Sequence, residues 1–143
     1  MLTIAVDFDG TIVTHEYPRI GRDIPFAIDT LKRIQSDFQT CLILWTVREG
    51  KELREAVEYC RERGLEFYAV NSNYPEEKPE SKEPRKLKAD LFIDDRNLGG
   101  IPDWGIIYQM ISSGKYLQPI PTDIQPDYPK PRRGGLMGLF GGK

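Results

Sequence analysis

Three short apolar runs punctuate the chain: Leu2–Val6, Cys41–Trp45 and Leu91–Ile93. Each is nearly continuous rather than alternating, the pattern of a strand covered on both faces, as in a parallel sheet. Phe67–Val70, flanked by Gly64 and Asn71, is a fourth candidate strand. Between the runs the apolar period lengthens to that of a helix. Pro25–Ser36 carries Ala27, Leu31 and Ile34 at helical spacing, Phe38 follows, and Asp23 is placed to cap the N-terminus. Glu49–Arg63 is the clearest helix. Leu53, Ala56, Val57 and Cys60 form one stripe, charges fill the opposite face, and Gly64 stands where a helix-ending glycine belongs. A last helix is expected over Pro102–Ser112. Strands alternating with helices predict an α/β fold with a mostly parallel sheet.

The segments outside this pattern are polar or rich in proline and glycine. Asn71–Lys86 holds Pro75, Pro79 and Pro84 and reads as an exposed loop. From Gly114 onward proline and glycine dominate, ending in Gly-Gly-Leu-Met-Gly-Leu-Phe-Gly-Gly-Lys. The expected organisation is a core over residues 1–113 and a tail over 114–143, laid over the domain or partly disordered. Leu136–Phe140 is the one apolar stretch of that tail and could dock on a partner subunit.

Length and composition narrow the field further. With 143 residues there is room for one compact domain. An apolar fraction of 39% and a charged fraction of 29% suit a globular protein. The net charge is −2 with both signs interspersed, so nothing points to nucleic acid or a membrane surface as partner. The opening apolar run is too short for a secretory leader, and no run approaches the length of a membrane span. Cys41 and Cys60 lack metal-ligand spacing and read as reduced core thiols of a cytoplasmic protein.

The chemistry gathers just after the apolar runs. Asp7-Phe8-Asp9-Gly10-Thr11 follows the first, Thr46-Val47-Arg48 the second, and Asp94-Asp95-Arg96 the third. Ligands of parallel α/β sheets bind at the carboxyl ends of the strands. Four carboxylates, a hydroxyl and two guanidiniums are therefore expected around one crevice. Carboxylates so close shift their pKa values strongly or need a counter-ion, and an oxygen-only donor set suits a hard cation, Mg²⁺ above all. Asp7 and Asp9, two apart on an extended chain, leave the same face, and Gly10 lets the chain turn away. Arg48 and Arg96 could grip a substrate carboxylate or phosphate in bidentate fashion. Gly10, Thr11 and Arg48 are the candidate substrate contacts.

These residues resemble a known family. Asp7-Phe8-Asp9-Gly10-Thr11 is similar to the nucleophile motif of the haloacid dehalogenase superfamily, most of whose members are phosphatases. Thr46 resembles the second motif of that superfamily and Leu91–Asp95 its acidic fourth motif. Lys86, eight residues before Asp94, stands where its lysine would, with Lys88 as the competitor. The motifs occur in the family's order over roughly residues 2–111. The resemblance implies a three-layer Rossmann-like core. It also implies a role for each position. Asp7 would attack phosphorus to form an aspartyl-phosphate. Asp9 would act as general acid and then general base, and Thr46 and Lys86 would hold the phosphoryl oxygens. Asp7, the backbone carbonyl of Asp9 and the Asp94–Asp95 pair would position Mg²⁺.

Many members of the superfamily carry a cap domain, for which this chain has no room. Val13–Arg22, with His15, Tyr17, Arg19 and Arg22, is the candidate flap over an open site. The expected activity is Mg²⁺-dependent hydrolysis of a phosphorylated small molecule, such as a sugar phosphate or nucleotide. The open site and apolar tail point to a homo-oligomer. The alternatives are a non-catalytic Mg²⁺- and phosphate-binding domain, or a phosphotransferase using the same residues. A phosphoacceptor domain of the receiver type is disfavoured, because there the acidic pair precedes the phosphorylated aspartate.

Overall fold

The computed structural model describes residues 1–77, 86–119 and 125–131. Strands β1 (Leu2–Val6), β2 (Thr40–Leu44), β3 (Ala69–Val70) and β4 (Leu91–Ile93) form one sheet in the order β3-β2-β1-β4. Every pairing is parallel. Helices α1 (Ala27–Asp37), α2 (Gly50–Glu62) and α3 (Trp104–Ser112) complete the fold. The α/β class with a parallel sheet is as the periodicity predicts. The strand order reverses between β1 and β4, so the topological switch point lies between them. Val6 stands opposite both Leu44 and Ile93, so three strands end level at one edge of the sheet.

The layers are uneven. Ile4, Val6, Leu42 and Leu44 share one core with Leu31 and Ile34 of α1, Ala56 and Cys60 of α2, and Ile107 and Ile111 of α3. Among the described residues, all three helices contribute to that core. Ala5, Ile43 and Ala69 form the second core with Leu87, against which Trp45, Ala89 and Phe92 pack. The reason lies in the connection from β3 to β4, which is polar and broken by prolines and carries no apolar stripe for a covering helix.

Two local details depart from expectation. Asp23 does not cap α1, which starts after Phe26 in a left-handed conformation (φ 68°) with no side-chain cap. The Asp23 carboxylate instead accepts from the Tyr59 hydroxyl and pairs with Arg63, both on or just beyond α2. Cys60 is buried, and burial pushes its thiol up to about 12, so it is an unreactive core thiol. Cys41 is only half-buried, with its sulfur 3.1 Å from that of Met1 at the amino end of the sheet. It is not the core thiol that its strand position suggests. Among the described residues, no helix is long and apolar enough to cross a membrane.

Residues 125–131 lie against α1 and α3. The Tyr128 ring stacks on Phe26 at 4.1 Å between centroids, and Asp127 pairs with Arg33 at 3.4 Å. The Asp127 amide donates to the Gly105 carbonyl. Leu136–Phe140 lies outside the described residues.

Candidate functional site

The first turn of the site is set by backbone geometry. Beyond β1 the Phe8 carbonyl accepts from the amides of Thr11, Ile12 and Val13, and the Gly10 amide donates to the Val13 carbonyl at 2.7 Å. This curl needs a left-handed residue, and Gly10 supplies it at φ 87°. The curl carries the chain back under the carboxyl ends of the strands. A Cβ at Gly10 would stand 2.3 Å from Oδ2 of Asp95, so the glycine also makes room for the acidic pair.

Asp7, Asp94 and Asp95 each offer a carboxylate oxygen, and these atoms all lie within 4.8 Å of one another. All three are half-buried. They come from β1 and β4, the two strands flanking the switch point. The Thr11 hydroxyl lies 3.0 Å from Oδ2 of Asp7 and 3.5 Å from Oδ1 of Asp95, and it accepts the Asp95 amide at 3.1 Å. The Trp104 indole nitrogen in turn donates to the Thr11 carbonyl. Asp94 turns its own loop by accepting the Arg96 amide at 2.9 Å. Burial, then the Asp94 charge and the Asp95 hydrogen bond, raise the Asp7 carboxyl from 3.8 to about 7. A three-oxygen cluster with a carboxyl so unsettled fits a bound cation, and these residues could hold a metal ion.

Asp9 is not part of this cluster. Its carboxylate turns to Arg48, whose Nε and Nη2 each lie 2.7 Å from one of its oxygens. Four carboxylates were expected around the crevice; the structure brings three together and gives the fourth a cation of its own. Arg48 is completely buried. Its remaining donors go to the carbonyls of Pro18, Arg19 and Glu52. No donor is left to grip a substrate, which corrects its assignment as a substrate contact. Thr11 is corrected in the same way. At 1% exposure its hydroxyl ties Asp7 to Asp95 and does not face solvent.

Thr46 follows β2 by two residues and is half-buried. Its amide donates to Oδ1 of Asn71 at 2.8 Å, and its hydroxyl accepts the Arg48 amide at 3.1 Å. Asn71, left-handed at φ 52°, also reaches the Arg48 carbonyl with Nδ2 at 3.4 Å. One asparagine at the end of β3 thus holds the whole Thr46–Arg48 turn. Its signal in the sequence was faint: a residue tolerant of positive φ directly after an apolar run.

Lys86 is exposed, and its ammonium stands 5.7 Å from the centre of the Phe92 ring. The Lys88 amide donates to Oδ1 of Asn73. Among the described residues, no ion pair joins either lysine to the carboxylate cluster. The candidate flap forms a narrow loop, closed by bonds from the Thr14 amide to the Arg22 carbonyl and from the Ile24 amide to the Ile12 carbonyl. His15, Tyr17, Arg19 and Arg22 are exposed along it. The Tyr17 ring lies 5.1 Å from the guanidinium carbon of Arg48.

No protein-family model and no curated protein matches the chain. Among solved structures, a conserved protein coded by a locus of Bacteroides thetaiotaomicron is 66% identical over 80% of this chain and 92% of its own, with a TM-score of 0.73.

Proposed function

We propose that this chain, which belongs to the same family as the conserved Bacteroides thetaiotaomicron protein, is a Mg²⁺-dependent phosphohydrolase of the haloacid dehalogenase type. The observation that carries the reading is the Asp7, Asp94 and Asp95 cluster, with its oxygens within 4.8 Å at the switch point of a parallel sheet. Bound there, Mg²⁺ would neutralise the carboxylates and the charge of a phosphoryl group. With such a cation offsetting the neighbouring charges, Asp7 would stay ionised and could attack without a base. One of its oxygens bonds to phosphorus as the bond from phosphorus to the ester oxygen breaks. Asp9, carrying a proton taken up from solvent, gives it to the departing oxygen. Water then attacks the phosphorus of the aspartyl-phosphate and loses a proton to Asp9, and phosphate leaves.

Both oxygens of Asp9 accept from Arg48, but each keeps a further lone pair on which an exchanged proton can sit. The Thr46 hydroxyl, spending only an acceptor position on Arg48, keeps its proton for a phosphoryl oxygen. The substrate class in keeping with this reading is a small phosphate monoester. A second reading, a phosphate-binding domain without turnover, draws on the same pair. A carboxylate spent on a guanidinium has less freedom to shuttle a proton.

Hydrolysis of an aryl phosphate, followed with and without Mg²⁺ in wild type and Asp7→Asn, separates these readings. Mg²⁺-dependent turnover that disappears in the variant supports the hydrolase. Binding of Mg²⁺ and phosphate without turnover of any ester would move the assignment to the binding domain, and equal activity in both proteins would remove Asp7 as nucleophile.

A further inference from the structure

Among the described residues, Arg48 is the largest side chain buried completely. Every one of its N–H groups has an acceptor. Nε and Nη2 take the two oxygens of Asp9 at 2.7 Å. Nη2 also reaches the Arg19 carbonyl at 2.9 Å, while Nη1 reaches those of Pro18 at 3.1 Å and Glu52 at 3.4 Å. Its guanidinium carbon lies 5.2 Å from the Phe8 ring centre and 5.1 Å from that of Tyr17. Its own backbone is fixed as well, through the Thr46 hydroxyl and the Asn71 amide.

A buried ion pair that only filled the core would need the carboxylate alone. Here the same fork takes two successive carbonyls, Pro18 and Arg19, at the tip of the 14–22 loop. The planar five-donor guanidinium is the group that can satisfy such a set at fixed angles; an ammonium has three donors and no plane.

We propose that Arg48 is a positioning residue that couples the 14–22 loop to Asp9, so that the loop and the acid–base carboxylate are held as one unit. The inference rests on the phosphohydrolase reading for its catalytic consequence, but not for its mechanical one. A substrate that settles the loop also settles Asp9 through the guanidinium.

Arg48→Lys tests this with two readouts on the full chain. In amide hydrogen exchange, the Thr14 and Ile24 amides should exchange at least tenfold faster than in wild type, while those of β1 and β2 keep their protection. In kinetics with Mg²⁺, kcat/KM for glycerol phosphate, a poor leaving group, should fall by about 100-fold. For p-nitrophenyl phosphate, whose leaving group needs no proton, it should change less than threefold. Equal losses on both esters, or a loop whose exchange is unchanged, would overturn the proposal, because a merely structural arginine does not discriminate between leaving groups. Should Arg48→Lys not fold, wild-type exchange decides: Thr14 and Ile24 opening together with the β1 amides supports the coupling, and their free exchange overturns it. If wild type hydrolyses neither ester, the phosphohydrolase reading fails, and the exchange result alone decides the coupling.

Discussion

Gly10 and Asp95 lie so close that a Cβ on the first would stand 2.3 Å from Oδ2 and 2.7 Å from Cγ of the second. The two are 85 positions apart in the chain and come from different strand ends. Their contact joins the curl after β1 to the acidic pair after β4.

Gly10→Ala should therefore weaken both the fold and cation binding. The left-handed φ of 87° and the overlap together should cost about 1–3 kcal/mol of stability. The Asp95 carboxylate must swing away to make room, and Mg²⁺ affinity should fall roughly 10–100-fold. Calorimetric titration with Mg²⁺ beside urea denaturation checks both numbers. Unchanged affinity would mean that Asp95 is not a ligand.

Asp7 sets a stability dependence on pH in the cation-free protein. Its carboxyl is raised from 3.8 to about 7, chiefly by burial and then by Asp94. The folded state thus holds the proton more tightly than the unfolded chain. The stability that this contributes is present below about pH 4 and is lost as pH rises to about 7. Asp7→Asn lacks the titration, so with a chelator present the variant should gain on wild type across that window. The upper bound is about 4 kcal/mol, at roughly 1.4 kcal/mol per pH unit. Denaturation of both proteins at several pH values measures the gap, and added Mg²⁺ should stabilise wild type most at the upper end. A gap independent of pH would contradict the burial argument.

Breaking the Asp9–Arg48 pair should be costly on either side. Asp9→Asn leaves a buried guanidinium uncompensated, and Arg48→Leu leaves a buried carboxylate; each should cost about 3–5 kcal/mol. The double variant should cost less than the sum, with a coupling energy of roughly 2–3 kcal/mol in a double-mutant cycle by chemical denaturation. Additive losses would show that the two groups act independently.

Gly105 allows the 125–131 segment to approach α3. A Cβ there would stand 2.6 Å from the Pro126 side chain and 2.7 Å from the Asp127 amide nitrogen. Gly105→Ala should lift this strap, cost about 1–3 kcal/mol and leave the carboxylate cluster's cation affinity unchanged. Proteolysis within residues 125–131 should accelerate in the variant. Resistance equal to wild type would show that the segment adjusts without leaving.

The fold was legible to within a residue or two at most boundaries, because strand and helix write different periods into a sequence. The run Leu2–Val6 became β1 unchanged, and the stripe of Leu53, Ala56, Val57 and Cys60 became α2. Sidedness was harder to read. A continuous apolar run says that both faces of a strand are covered, but not by what. So the described helices gathered on one face, with Leu87 and Ala89 packed on the other, could not be told from helices on both.

The candidate site divides along the same line. The sequence by itself determined which residues stand at the carboxyl ends of the strands, since position along the chain and strand direction are enough to place Asp7, Thr46 and Asp94 there. Only the tertiary structure decided which of them face one another. Val6 and Leu44 end level on adjacent parallel strands, which brings Asp9 and Arg48 into reach; each lies a few residues beyond, and that symmetry was the available signal. Once Arg48 is sealed from water, its charge and donors must be satisfied by protein groups. It takes the Asp9 carboxylate and the loop carbonyls, and Asp7 is left to share its cluster with Asp94 and Asp95. Partner choice among buried charges depends on distance and desolvation across the sheet, and neither quantity is written in the order of residues along a single strand.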